Sequence, residues 1–410
     1  MCLQVAPVNR QPRRTRLSDH SQALQVSQIS PSIIQSEIRS MTVACDALNG
    51  INLAQGVCDT DPPAPVVESA IRAIRDGYNI YTRLDGIATL RQAVARKLSH
   101  YNGIETDPDA NVLITSGATG ALYSTCLALL NPGDEVIVFE PFYGYHLNTM
   151  LSLRIRPVAV PLVAPDWQLD MDALKAALTP RTRALIINTP CNPSGKVFSR
   201  TELEAIAAVA IEANLFVFTD EIYEYFLYDG TAHISPATLP GMAERTITIS
   251  GFSKTFSVTG WRLGYLAASS KWTPSIGYFH DLTYVCAPAP LQHGAAAGLA
   301  ALPDNFYADM SKEYEVKRNQ VCAALTDAGM VPSIPSGAYY ILADATRIPG
   351  ADAKQKARRL LKDTGIAAVA GSAFFSHMSG KESRGENLLR FCFAKKDSDI
   401  TEACRRLRAY

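Results

Sequence analysis

The chain has 410 residues, 47% of them hydrophobic, which at roughly 150 residues per domain supplies two or three compact units and excludes a mini-protein. Lys and Arg number 39 against 39 Asp and Glu, so no global field draws the chain to nucleic acid or to an anionic membrane, and partners must be sought in local sites. Nine cysteines, an odd number, are scattered from Cys2 to Cys404 without a C-x-x-C pair; that suits a reduced, cytoplasmic chain, and no metal centre is expected. No run reaches the ~18 to 20 apolar residues of a membrane-spanning helix.

Taken in chain order, the first 30 residues carry Arg10, Arg13, Arg14 and Arg16 with no acid before Asp19. They lack the apolar stretch of a secretory signal and read as a disordered leader. From residue 112 onward, short β-branched runs alternate with helical patterns. Val112–Ile114, Glu135–Phe139, Ala184–Ile187, Leu215–Phe218, Thr246–Ile249 and Leu263–Leu266 read as buried strands. Gly120–Leu130 and Thr201–Ala213 read as helices between them. Such alternation predicts an α/β fold with a mostly parallel central sheet covered on both faces. Pro288-Ala289-Pro290 marks a break, followed by helices at Gly294–Leu302 and Asn305–Leu325. Strands at Ala338–Leu342 and Leu388–Phe393 then suggest a second, smaller α/β domain.

In open parallel sheets the ligand sits beyond the carboxyl ends of the strands. The segments there are Ser116-Gly117-Ala118-Thr119, Glu140-Pro141-Phe142-Tyr143, Asn188 to Pro193, Asp220-Glu221-Ile222-Tyr223 and Ser250-Gly251-Phe252-Ser253-Lys254. Gly117 opens a helix directly after a strand, which aims free N–H groups at an anion; a glycine there is also the ordinary way to make a tight turn. The loop is neither a dinucleotide G-x-G-x-x-G nor a Walker loop, so nicotinamide and ATP readings lose support. Lys254 lies among Ser250, Ser253, Thr255 and Ser257, with Arg262 eight residues on. An amine beside a phosphate site can form a Schiff base with an aldehyde and then needs an electron sink. A carboxylate at a pyridine nitrogen, here Asp220, supplies it, although Asp220 could equally cap a following helix.

Asn192-Pro193-Ser194-Gly195, Asp220-Glu221-Ile222-Tyr223 and Ser250 to Phe256 followed by Gly260-Trp261-Arg262 resemble the signatures of class I/II aminotransferases of pyridoxal phosphate fold type I. The resemblance runs in order from about Leu53 to the C-terminus. It implies a large cofactor-binding domain over 51–290 and a linking helix with the small C-terminal domain over 291–410. Residues 31–50 would be an N-terminal arm shared with the small domain. It implies pyridoxal 5'-phosphate bound covalently at Lys254, with Asp220 as partner of the pyridine nitrogen. Asn192 and Tyr223 would hydrogen-bond the ring's phenolic oxygen, and Tyr143 would stack on the ring. Gly117, Ala118, Thr119, Ser253 and Arg262 would hold the phosphate. Arg390 would bind the substrate α-carboxylate, and Gly56 would let backbone approach the substrate. Tyr81 would reach the phosphate of a neighbouring subunit, which implies a homodimer with shared sites.

The resemblance leaves the substrate open. Aspartate-specific relatives carry a basic residue where approximate alignment puts Tyr284 or Thr119, and no arginine occurs between Arg262 and Arg318. A neutral, aromatic or thioether-bearing donor is therefore expected, passing its amino group to a 2-oxo acid by a ping-pong route. His146 stands where many members have a second tyrosine. A C–S β-lyase or a cyclase or synthase could use the same residues. A ligand-sensing regulator is disfavoured, because about 45 preceding residues are too few for a helix-turn-helix domain.

Overall fold

A computed structural model describes residues 24–33, 37–376 and 384–410. The expected leader therefore lies, for residues 1–23, outside the described residues. Strand β1 (Ile51–Asn52) pairs in parallel with Ile366–Ala367, so residues 51–52 join the C-terminal part of the chain.

The large sheet has eight strands: β2 (Val112–Thr115), β3 (Glu135–Glu140), β4 (Arg156–Val163), β5 (Gln168–Leu169), β6 (Thr182–Asn188), β7 (Phe216–Asp220), β8 (Thr246–Gly251) and β9 (Gly264–Ala267). Their order is β2-β9-β8-β7-β6-β3-β4-β5. The run β4-β3-β6-β7-β8 is parallel. In contrast, β9 is antiparallel to both β8 and β2. Every residue of β2, β3, β8 and β9 is buried, which is why these strands read as continuous apolar runs rather than as alternating ones. The same burial hid the reversed direction of β9. Strand β4 escaped the sequence reading because Pro157 and Pro161 interrupt it. Proline is tolerated near a sheet edge, and β4 is followed only by the two-residue β5.

The smaller sheet comprises β10 (Val331–Pro332), β11 (Tyr340–Asp344), β13 (Val369–Ala370) and β14 (Leu388–Cys392), with β12 (Ile366–Ala367) pairing outside it to β1. Its order is β10-β11-β14-β13 and its pairs are antiparallel. Helix Ala289–Ala301 packs against helices Ala64–Arg75 and Ala88–Lys97, on the large-sheet side. The next helix, Asp304–Asp327, packs against β10 and β11 of the smaller sheet and the helix Asp397–Arg408. Helix Arg200–Glu212 begins where Ser199 and Glu202 cap each other's backbone N–H groups, the reciprocal arrangement that satisfies two orphan donors.

One apolar core joins the sheets. It contains Ile187 and Val217 of the large sheet, Ile341 and Phe391 of the small one, and Leu53 and Tyr223 beside the site. Because these side chains interdigitate at close-packed density, the strand ends of the two sheets are held in fixed relation.

Candidate active site

A cavity of about 910 Å³ opens where the strand ends meet the smaller sheet. Gly56, Ala118, Thr119, Tyr143, Asn192, Asp220, Tyr223, Ser253, Lys254, Arg262 and Arg390 all line it. These residues are spread over more than 330 positions, and crossover topology alone brings them to one rim.

Asp220 ends β7, its carboxylate 15% exposed to the cavity. His146, in the first turn of the helix Gly144–Ser152, donates from Nε2 to Asp220 Oδ2 at 2.8 Å. A carboxylate only accepts, so this contact assigns the ring proton to Nε2. Tyr143 packs edge-on against the His146 ring, centroids 5.4 Å apart.

Lys254 is partly buried and donates from Nζ to the Gly56 carbonyl at 3.1 Å. Burial pushes its amine below the ordinary lysine range, because desolvation disfavours the charged form. Gly56 has a steric reason to be glycine: a Cβ there would lie 1.9 Å from the Tyr340 hydroxyl. That hydroxyl shares a 3.0 Å hydrogen bond with Tyr223. Burial drives the Tyr223 phenol well above its usual range, so it stays protonated and able to donate.

Gly117 opens the helix Gly117–Leu129 with a φ of +72°. Ser116 makes no side-chain capping bond, so the first N–H groups of the helix face the cavity rim with their dipole uncapped. Arg262 itself adopts a left-handed φ of +54°. A Cβ on Gly117 would sit 2.8 Å from Arg262 Nη2, and one on Gly264 would sit 2.6 Å from Ala118 N. Arginine and helix terminus therefore meet only because both positions are glycine.

Arg390 on β14 is fully buried. Nη1 donates to Asn192 Oδ1 at 3.0 Å and Nη2 to the Ala54 carbonyl at 2.5 Å, while Nε has no partner. The guanidinium lies 4.4 Å from the Tyr340 ring centroid and 4.8 Å from that of Phe374. Among the described residues no carboxylate pairs with it. A buried cation left in this state is strongly favourable for an incoming anion.

Three predicted residues stand apart. Gly117 lies beneath Arg262 rather than on the cavity wall. Tyr81 is 79% exposed and away from this chain's own cavity. Tyr284 lies outside the cavity too, its ring against Gly120 and 5.2 Å from that of His280. Neither tyrosine lines this chain's cavity.

Other contacts were not anticipated. The His146–Asp220 bond had a faint signal, since His146 follows Tyr143 by three residues and shares its helical face. His280 had none: from the helix Thr273–Tyr284 its Nε2 accepts the Ser116 N–H at 3.0 Å, bracing the turn before Gly117. Burial lowers His280 from 6.5 to about 4, so the ring is a neutral acceptor.

A desolvated lysine, a carboxylate tied to a histidine, an uncapped helix start with an arginine, and a buried arginine lacking an anion define the site of an enzyme that handles amino acids through pyridoxal phosphate. The aminotransferase class I and II family matches residues 49–407, and the chain belongs to that family. It is 38% identical over 374 residues, 90% of this chain and 94% of the relative, to the probable N-succinyldiaminopimelate aminotransferase DapC of Mycobacterium tuberculosis. It is 35% identical to human kynurenine–oxoglutarate transaminase 3, covering 88% of this chain and 85% of that one. Among solved structures, the N-succinyldiaminopimelate aminotransferase of M. tuberculosis superposes with a TM-score of 0.89 at 36% identity, covering 94% of this chain and all of that one. YbdL of Escherichia coli, described as having a methionine aminotransferase function, gives 0.89 at 30% identity, over 95% of this chain and all of that one. The chain is thus an aminotransferase of fold type I whose cofactor is pyridoxal 5'-phosphate.

Proposed function

We propose that this enzyme transfers the amino group of a neutral L-amino acid, aromatic or thioether-bearing, to a 2-oxo acid. The observation that carries the reading is one cavity holding Lys254, the Asp220–His146 pair and the anion-free Arg390. The residues present suit the family's cofactor: Arg262 and the uncapped helix start are of the right charge for its phosphate, and Asp220 for its pyridine nitrogen. When bound, pyridoxal phosphate supplies an aldehyde that takes up the amino group and a protonated ring that absorbs the electron pair left on Cα.

The protein's own part follows from placement. Arg390 grips the α-carboxylate, which orients the donor's Cα–H bond. Lys254 Nζ, its hold on a proton weakened by desolvation, takes the proton from Cα, and a positioned base of this kind contributes roughly a hundred- to ten-thousandfold. His146 holds the Asp220 carboxylate in place through its 2.8 Å hydrogen bond. Asn192 and Tyr223, on the cavity wall, would hold the cofactor ring by hydrogen bonds. Ser253, Ala118, Thr119 and Arg262, all on the cavity wall, would hold its phosphate.

Phe142, Tyr143, Tyr145, Phe374 and Phe375 line the cavity, walls that suit a ring or a thioether better than a second carboxylate. The names of relatives are divided, with aromatic amino acid, kynurenine and methionine activities beside N-succinyldiaminopimelate and aspartate aminotransferases. An aspartate aminotransferase of Pyrococcus abyssi is equally similar to this chain, which makes the donor the point to test.

A homodimer is part of this reading. Ile80, Tyr81, Tyr278 and Leu282 are large apolar side chains more than half exposed, and Tyr81 lies off this chain's own cavity, as a role in a partner's site would require. Among the described residues no helix is long and apolar enough to cross a membrane, in keeping with a cytoplasmic enzyme. Catalytic efficiency for phenylalanine, kynurenine, methionine, glutamine and aspartate with one common oxo acid tests the reading. Aspartate ahead of every neutral donor refutes the preference; pyruvate and ammonia in place of oxo acid and transferred nitrogen mark a lyase.

A further inference from the structure

Arg390 and Lys254 come from distant parts of the chain, yet both rest on one short segment. Arg390 Nη2 donates to the Ala54 carbonyl at 2.5 Å and Lys254 Nζ to the Gly56 carbonyl at 3.1 Å. Tyr339, fully buried, brings its hydroxyl to the same Gly56 carbonyl at 3.4 Å. The group that takes the α-carboxylate and the amine that takes the proton thus hang from carbonyls two residues apart, and the course of the peptide between them governs how the two stand to each other.

Asn52, at the end of β1, shapes that course. Its Oδ1 accepts the N–H of Ala54 at 3.0 Å and of Gln55 at 3.1 Å. The Gln55 N–H belongs to the same planar peptide group as the Ala54 carbonyl, so Asn52 and Arg390 hold opposite ends of one rigid unit. The next carbonyl is tied likewise: the Val57 N–H, in one peptide group with the Gly56 carbonyl, donates to Gln55 O at 3.0 Å. A backbone N–H only donates, which turns Oδ1 inward and Nδ2 outward. Nδ2 donates at 3.1 Å to Thr42 Oγ1, on the helix Glu37–Asp46. Thr42 gives its own hydrogen to the Ile38 carbonyl at 3.0 Å, so toward Asn52 it accepts. Each neighbour therefore demands one end of an amide. An aspartate could not donate to Thr42, and an alanine could hold neither side.

We propose that Asn52 is a positioning residue for amino-group transfer: it fixes the turn over residues 52–56 so that the Ala54 and Gly56 carbonyls set Arg390 and Lys254 in register, with Thr42 bracing it from outside. This rests on the tasks given above to Arg390 and Lys254. Asn52 touches neither side chain and acts on both through the backbone, which distinguishes it from a residue that serves only one of them.

The test uses the holoenzyme, with every quantity normalised to bound pyridoxal phosphate. The dissociation constant of 3-phenylpropionate, a carboxylate without an amino group, reports on Arg390. The half-reaction rate at saturating phenylalanine reports on Lys254. Asn52→Ala should raise the first about fivefold, the size of one weakened hydrogen bond, and slow the second about ten- to hundredfold, the scale on which a displaced reacting group costs rate. Asn52→Asp, which keeps the acceptor for both N–H groups, and Thr42→Val, which removes only the outer contact, should each slow the half-reaction about three- to fivefold. A merely structural Asn52 would lower thermal stability and leave both quantities at wild-type values. That result in Asn52→Ala, beside impaired phenylpropionate binding in Arg390→Lys, overturns the proposal. If Asn52→Ala yields no holoenzyme, the two milder variants carry the test, and wild-type half-reaction rates in both overturn it. Unimpaired phenylpropionate binding in Arg390→Lys overturns instead the role of Arg390 on which the proposal rests.

Discussion

Asp220 and Glu221 are adjacent in the chain at the end of β7, yet their carboxylates meet opposite surroundings. Asp220 faces the cavity with one strong donor, His146, and a 3.3 Å contact from the Ile222 N–H. Glu221 is fully buried and accepts from Thr219 Oγ1 at 2.8 Å, His233 Nε2 at 2.7 Å and Ser235 Oγ at 2.5 Å. Glu224, close by, accepts from Ser250 Oγ and Asn102 Nδ2 at 2.8 Å each and pairs with Lys97 at 2.5 Å. Glu221, Glu224 and His233 lie near enough together to hold a metal ion, but the Lys97 ammonium already supplies the positive charge.

The two regions differ in completeness rather than in residue type. Behind the strand every carboxylate oxygen of Glu221 and Glu224 is met by a donor, although His233 Nδ1 has no partner, and such a network fixes a unique core. In front, Arg390 Nε lacks an acceptor and the helix start lacks a cap. Incomplete donor sets in a cavity are where binding free energy remains to be gained, so the front does chemistry and the back holds shape.

Substitutions on either side should separate the two roles. Lys254→Ala should cut turnover by about a thousandfold or more, the scale of a lost positioned base, with thermal stability nearly unchanged. Glu224→Ala should do the reverse. It strands Lys97 among the Tyr101, Tyr225 and Tyr265 rings, which should cost about 3 to 5 kcal/mol of stability. The protein that remains folded should turn over almost normally, and denaturant titration beside active-site-normalised kcat checks both.

His280 sharpens the comparison by pH. The unfolded chain takes up its proton near 6.5, the folded one only near 4. Between those values the unfolded state binds more protons, so stability rises with pH there. The contribution is full above about 6.5 and lost as pH falls toward 4, with a ceiling of about 3 kcal/mol. His280→Gln should flatten that slope in denaturation midpoints measured from pH 4 to 7.

Much of the front was legible in the sequence, because strand ends, glycines and the Ser253-Lys254 to Arg262 spacing lie in short segments whose order survives folding. What was hidden depends on contacts across the chain. His146 and Asp220 are 74 positions apart, and Ser116 and His280 are 164 apart; no local pattern announces either pair. The direction of β9 was hidden for a related reason: a strand buried on both faces carries no alternation from which pairing can be read. Tyr340 looked like an ordinary strand aromatic, and only the close approach of Gly56 shows what its hydroxyl touches.

The central claim is that Lys254 moves the proton by which an amino group is transferred, and one half-reaction tests it most directly. Holoenzyme mixed with phenylalanine or methionine alone, without an oxo acid, should yield one oxo acid and one pyridoxamine phosphate per active site. The Lys254→Ala protein, loaded with pyridoxal phosphate, should bind the amino acid and stall at least about a thousandfold slower. Multiple turnovers giving pyruvate-type products and free ammonia, or an undiminished half-reaction in Lys254→Ala, would contradict the account.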